Sequence, residues 1–347
     1  MTRRNRMIAG AAAVLIGALG IAGLVCTTRE HDEPAAPCEA ERTAIQAEWS
    51  ESHRTAITEA LRATNVAFAG DTAARVSAAL DTYVRGLESA RSQLCKQPPP
   101  GALFEQGLAC VGELRVELRL FREWLLRITA ADARFAVMAV YELPSSDDCT
   151  NHKALQAKAR ETPQLETVRK QVTDAIRDTR TGKPVAGAEP LFRETAAIAE
   201  TAHADELRAL VLVRLAGVLA EIPGREGEAL ALEPVALAAI KRATHERVLV
   251  AELHRAMGTA LTRSGATDKS LTRLEAALAA ARAAFPAGDP RLPGYVHAVA
   301  VALNQQQRPA DARPYQEEAH RLAVDAFGAE HPVTLALANE LAQARRP

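Results

Sequence analysis

Residues 251–285 read AELHRAMGTALTRSGATDKSLTRLEAALAAARAAF, and residues 293–327, 42 positions further on, read PGYVHAVAVALNQQQRPADARPYQEEAHRLAVDAF. The two segments keep step: Gly258 with Ala300, Leu261 with Leu303, Ala277 with Ala319, Phe285 with Phe327, and beyond them Pro290 with Pro332. A constant offset held over that many positions is the signature of stacked repeats, in which each unit buries its apolar face only against its neighbours. Within each unit apolar residues recur at three- and four-residue intervals, which predicts two helices joined by a turn. The first unit has helices over 251–264 and 270–285 with Gly265 at the turn; the second has 295–307 and 311–327 around a turn containing Pro309. Small residues at Gly258, Ala277, Ala300 and Ala319 fall where two helix backbones must approach closely. Residues 333–344 read as a closing helix. Upstream, from about Leu165, the pattern is looser: Leu219 and Leu232 hold the register of Leu261 and Leu274, while Pro223-Gly224 replaces the tidy turn.

The composition agrees with helices. The chain is 48% hydrophobic but only 4% aromatic, so its core must be built from Ala, Leu and Val rather than from rings. Ala, Leu, Glu and Arg are strong helix formers, and no stretch alternates apolar and polar residues over a strand length. The expected fold class is all-α. Lys plus Arg number 42 against 43 Asp plus Glu, a formal charge of -1, so no chain-wide basic field exists to draw in nucleic acid.

At the amino terminus, residues 7–25 form an uninterrupted apolar stretch, preceded by Arg3, Arg4 and Arg6 and followed by Glu30, Asp32 and Glu33. A helix of that length reaches ~28 Å, about the hydrocarbon thickness of a bilayer. Residues 1–28 are therefore expected to be a basic cytoplasmic tip and a transmembrane anchor. With the arginines held inside, the rest of the chain lies in the periplasm of a diderm bacterium, bound to its inner membrane by a single pass. A cleaved secretory signal is the alternative, although its apolar core is usually shorter, ~7–15 residues, and Gly23-Leu24-Val25 offers no small-x-small site. Val25 before Cys26 argues against lipidation.

A polar linker, 29–37, leads into a module over 38–160 in which four helices are expected. Ile45, Trp49, Ile57 and Leu61 mark one face of the first, and Val76, Leu80, Tyr83, Leu87 and Leu94 the second, with Asp71 as its N-cap. After the break at Gln97-Pro98-Pro99-Pro100-Gly101, Leu114, Leu118, Phe121, Leu125 and Ile128 mark the third. Phe135, Met138 and Tyr141 mark a shorter fourth. Cys38 opens the first helix, Cys95 ends the second, Cys110 sits early in the third and Cys149 follows the fourth. In an up-down-up-down bundle all of them lie at one end, and consecutive antiparallel partners are nearest, which predicts Cys38 with Cys95 and Cys110 with Cys149. An exported location permits the oxidation. Reduced, buried thiols are the alternative, and a zinc site a third, for which no Cys-x-x-Cys or histidine cluster is present.

The repeats over 161–347 resemble the tetratricopeptide repeat, and their 42-residue spacing with Phe-x-x-x-x-Pro after the second helix is similar to the longer kinesin-light-chain variant. The resemblance implies a superhelix of paired helices whose first helices line a concave groove. It would turn Arg255, Thr259, Thr262, His297, Val301 and Asn304 toward a protein or peptide ligand; the alternative is that they are ordinary solvated helix residues. No Arg or Lys pair recurs at equivalent positions to clamp a terminal carboxylate.

The sequence contains none of the common catalytic spacings: no Gly-x-x-x-x-Gly-Lys, His-Glu-x-x-His, Gly-x-Ser-x-Gly, His-Arg-Asp or Asp-Phe-Gly. His245-Glu246 begins like a zinc motif, but Leu249 stands where the second ligand belongs, so the pair reads as an exposed helix pair; Asp147-Asp148 reads as loop carboxylates. The expectation is a protein that is not an enzyme and needs no cofactor or metal.

The order of features across nearly the whole chain is basic residues, a span, Cys38 with Trp49, Asp81-x-Tyr83, Cys95, Leu108-Ala109-Cys110, Cys149 and then repeats. It resembles the extracytoplasmic tail of membrane-anchored bacterial Ser/Thr protein kinases of the myxobacterial type. The resemblance would put a kinase domain before Arg3; residues 1–347 hold none, so the expectation is that no phosphotransfer is inherited. Two functions remain: a membrane-anchored scaffold or signal-input protein that binds a protein or peptide, or the sensor tail of a kinase whose catalytic part lies outside this reading frame.

Overall fold

The computed structural model describes residues 35–99, 101–158, 162–180, 188–243 and 245–344, and these are helical throughout, with no strand among them. The expected span over 7–25 lies outside the described residues; among those described, no helix is long and apolar enough to cross a membrane.

The module begins with α1 (Ala35–Glu48) and α2 (Glu51–Ala63), where a single helix was expected. Ser50 is extended between them, with φ -137° and ψ 173°, so the chain steps sideways and both short helices can lie along one long partner. That partner is α3 (Ala69–Lys96), followed by the antiparallel α4 (Leu103–Leu125). The expected stripes turn inward: Ile45, Ile57, Leu61, Val76, Leu80, Leu87, Leu118 and Leu125 are all completely shielded from solvent. Asp71 is not an N-cap; it lies inside the first turn of α3, where a carboxylate still suits the positive end of the helix.

The expected fourth helix shrinks to a 3-10 turn, Ala133–Phe135, continuing into the five-residue α5 (Ala136–Val140). Its inward residues are Ala133, Ala136, Val137 and Val140, whereas Tyr141 is exposed and Phe135 and Met138 are half-buried. The segment faces two ways, its small residues toward α3 and its large ones away from the module, so one helical stripe could not describe it.

The cysteines pair as expected. Cys38–Cys95 has an S–S distance of 2.01 Å and Cys110–Cys149 of 2.02 Å. Cys149 ends a 3-10 turn, Ser146–Cys149, that lies against α3 and α4. A second fastener had no counterpart in the expectations. Glu48, buried at the end of α1, faces Arg119 at 2.7 Å, Arg122 at 3.2 Å and Arg115 at 3.8 Å, three successive turns of α4. Arg122 also donates to the Glu48 carbonyl at 2.8 Å. Trp49 Nε1 donates to Asp81 at 2.6 Å, and Arg54 grips the same carboxylate, so α1, α2 and α3 are tied where the chain steps.

After α6 (His152–Lys158), α7 (Pro163–Arg180) and α8 (Ala188–Thr201), the repeat period takes over. Its units are α9 (Asp205–Glu221) with α10 (Glu226–Ala231) and α11 (Glu233–Ile240); α12 (Glu246–Arg263) with α13 (Thr267–Ala284); and α14 (Leu292–Gln305) with α15 (Pro309–Phe327). Helix α16 (Pro332–Ala344) closes the series. The looser first unit is in register after all. Its second helix is split because Pro234, near the start of α11, has no N–H to donate and clashes with the preceding turn.

The hairpin turns repeat in atomic detail. Gly265 and Gln307, at equivalent positions, both take positive φ, 79° and 59°. Each is followed by a bond that closes the helix end, Ala266 N–H to Leu261 C=O at 2.9 Å and Arg308 N–H to Leu303 C=O at 3.0 Å. This is the Schellman closure, and it satisfies carbonyls that the helix end leaves open. Within α12–α13 the backbones meet at Gly258, where a Cβ would stand 2.5 Å from Leu274 Cδ2. The carbonyl of Gly258 also accepts from Thr262 Oγ1 at 2.9 Å and Ser270 Oγ at 3.0 Å.

Candidate binding cleft between module and array

The repeat array comes back to meet the module in two places. At one, Arg75 of α3 donates to the Val324 and Asp325 carbonyls at the end of α15, at 3.1 and 3.3 Å. Beside it His331 is completely buried, stacked on Phe327 with ring centroids 4.7 Å apart and edge-on to Phe68 at 5.0 Å. Its Nδ1 accepts the Val333 N–H at 3.3 Å, so the proton sits on Nε2, which donates to the Arg134 carbonyl at 3.1 Å. Burial holds the imidazole pKa below its ordinary value, with Arg75 pushing the same way.

At the other place, His245 precedes α12 and lies between Asp148 of the module at 3.3 Å and Glu206 of α9 at 2.8 Å. Hydrogen bonds to Asp148 first and Glu206 second raise its pKa to about 10, so it is a cation at neutral pH. It is a bridge, where an exposed pair was expected. Lys153 reinforces this contact by donating to the Arg242 carbonyl at 3.0 Å.

Between the two contacts the segment 133–142 runs across the array like a strap and leaves a cleft of about 630 Å³. Arg134, Phe135, Met138 and Glu142 form the module wall. The array wall is periodic: Glu252, Gly294 and Ala336 are equivalent positions on α12, α14 and α16, and Pro290 and Pro332 are equivalent positions where the chain enters α14 and α16. Arg214 of α9 joins them, 3.3 Å from Glu252. Tyr295 has its hydroxyl pKa raised to about 12 by burial. Arg291 lies over Phe285 at 3.8 Å and grips the buried Asp289 carboxylate at 2.7 Å. Burial works against its charge, yet the Asp289 hydrogen bonds prevail and its pKa is raised.

Of the six residues expected to line a groove, only Arg255 is on the cleft wall, its guanidinium 5.8 Å from the Tyr295 ring centre. Thr262 is used inside its own hairpin, bonded to Gly258 and Ser270. His297 lies 2.6 Å from Glu340 on α16 and ties successive first helices together. Thr259 and Val301 are half-buried and Asn304 exposed, each one or two turns closer to the hairpin turns than the cleft is. The cleft is lined from the same first helices, but the strap decides which of their turns face it, and the strap gave no sequence signal. Among the described residues no group of three or more His, Cys, Asp or Glu side chains could hold a metal ion. No known protein family, curated protein sequence or solved structure matches this chain.

Proposed function

We propose that this is a single-pass protein of the bacterial inner membrane whose periplasmic part is a tetratricopeptide-like helical array that holds a protein or peptide, as scaffold or signal input and without chemistry of its own. One observation carries it: a cleft whose wall repeats at equivalent positions, Glu252, Gly294 and Ala336, on three successive first helices. Repetition of that kind makes an elongated surface suited to a chain running across the helices. Two disulfides in one module fit an oxidising compartment, which agrees with an export signal at 7–25.

The test is site-specific photo-cross-linking in the full chain, with the reactive side chain placed at Gly294 or Ala336 in the cleft and at Leu335, exposed on α16, as control. A defined peptide sequence attached at Gly294 and Ala336 but not at Leu335 is the expected result. Equal products at all three positions would remove the reading. A C-terminal reporter active only outside the cytoplasm is expected as well, and a cytoplasmic reporter signal would overturn the topology.

A further inference from the structure

We infer that the cleft takes an extended acidic segment, with its carboxylates on Arg134 of the module and Arg255 of the array and its apolar residues against Phe135, Tyr295 and Phe327. This rests on the reading of the cleft as a peptide site and adds the chemistry of the occupant.

The charge pattern is the first argument. Four arginines line the cleft against two glutamates, in a chain whose net charge is -1. Arg214 and Arg291 are matched by Glu252 and Asp289. Among the described residues no carboxylate lies within ion-pairing distance of Arg134 or Arg255, although most exposed arginines of this protein have one. Both are instead held over aromatic rings, Arg134 at 4.6 Å from the Phe135 centre and Arg255 at 5.8 Å from that of Tyr295. A guanidinium fixed over a ring has already given up rotamer freedom; Arg255 also hydrogen-bonds the Tyr295 hydroxyl, and its remaining N–H groups, like those of Arg134, are left for a carboxylate. Arg214 Nε adds a buried donor with no acceptor.

Shape is the second argument. The wall draws on α9, α12, α14 and α16, and helices packed at roughly 8–10 Å spacing give a track of roughly 24–30 Å. An extended chain covers that length with about seven to nine residues. Opposite walls supply the two unmatched arginines, so an occupant would bridge module and array and couple their relative movement to binding.

An array of immobilised octapeptides, graded from strongly acidic to strongly basic with leucine and phenylalanine at alternate positions, is probed with the full-length protein in detergent. Acidic members are expected to bind, with affinity falling as salt rises, and Arg134→Gln and Arg255→Gln are each expected to weaken them about tenfold. Arg321→Ala, on the exposed face of α15, is expected to change nothing. Arg255→Glu is expected to shift preference toward the basic members, a gain that a folding defect cannot produce. Binding indifferent to charge, or strongest for basic members, overturns the inference and leaves the peptide site standing. Failure of every member to bind overturns the peptide site as well.

Discussion

Asp289 and His331 occupy equivalent places in successive repeats, and each is a buried side chain that accepts the backbone N–H two residues on, Arg291 at 2.9 Å and Val333 at 3.3 Å. Each thereby fixes the entry of the chain into a first helix, α14 or α16. Their remaining atoms serve different ends. Asp289 neutralises Arg291 within the array, whereas His331 reaches the Arg134 carbonyl and joins the array to the module. One repeat position thus supplies a cap in one unit and a domain contact in the next.

His331 should make the protein acid-sensitive. Its folded pKa is lowered by burial, so between that value and the unfolded value of about 6.5 the unfolded chain binds more protons. Stability therefore falls as pH drops through about 6.5 and levels off below the folded pKa. Protonation also removes the acceptor for Val333 N–H. Urea midpoints at about pH 7.5 and about pH 5 measure this. In His331→Asn, which keeps an acceptor and cannot titrate, the acid loss should shrink; an unchanged loss would place its origin elsewhere.

His245 works at the other end of the scale. With its pKa raised to about 10 by Asp148 and Glu206, its contribution is complete below about 6.5 and is lost as pH rises toward 10. The side chain is 39% exposed, so salt should screen the effect. Urea midpoints between about pH 7 and pH 10 should decline in the natural protein and run flatter in His245→Gln. Parallel slopes would count against the bridge.

Periodicity is a local signal, and it located α3, α4 and α12 to α15 to within a few residues. The cysteine pairing was legible because antiparallel neighbours have few ways to bring four helix ends together. What escaped were features set by a second surface. The step at Ser50 and the short α5 arise because α3 must be covered along its length while residues 133–142 also face the array. Arg115, Arg119 and Arg122 do recur at helical spacing, a visible basic stripe, but only the fold reveals that two glutamates of α1, Glu41 and Glu48, answer it. The cleft needed both walls in place before any single residue could be assigned to it.

Removal of the disulfides should destabilise the module more than the array. Closing loops with sequence separations of 57 and 39 residues is worth about 2–4 kcal/mol each, chiefly by restricting the unfolded chain. Denaturant unfolding with and without reductant, read by hydrogen exchange in α1 to α4 against α12 to α15, should show the module peptides losing protection first. Equal loss in both regions would mean that module and array unfold as one unit.

Glu48→Ala should cost about 3 kcal/mol, since it leaves Arg119 and Arg122 facing a partly buried gap with no counter-charge, while Arg115 keeps Glu41 at 2.9 Å. Glu48→Gln keeps two polar atoms and should cost less. Thermal or urea unfolding ranks the two; a neutral Glu48→Ala would show that the arginines find water as easily as they find the carboxylate.

Gly258→Val tests the repeat geometry itself. A Cβ there would stand 2.5 Å from Leu274 Cδ2 and 2.6 Å from Cγ, so either Leu274 abandons its rotamer or α13 moves outward. Outward movement would break both Ser270 bonds, to the Gly258 carbonyl and to Thr262 Oγ1, and strand a fully buried hydroxyl. A valine should therefore cost about 1–3 kcal/mol. Gly258→Ala should cost less, because about 1 kcal/mol of helix propensity returns against the same clash. At the equivalent Ala300 the methyl is already accommodated and buried, so Ala300→Gly should lose about 1 kcal/mol through propensity and more through the lost methyl contacts. Urea midpoints give the order. If Gly258→Val left the midpoint unchanged, α12 and α13 would not touch at this point, and the matched small residues 42 positions apart would owe nothing to packing.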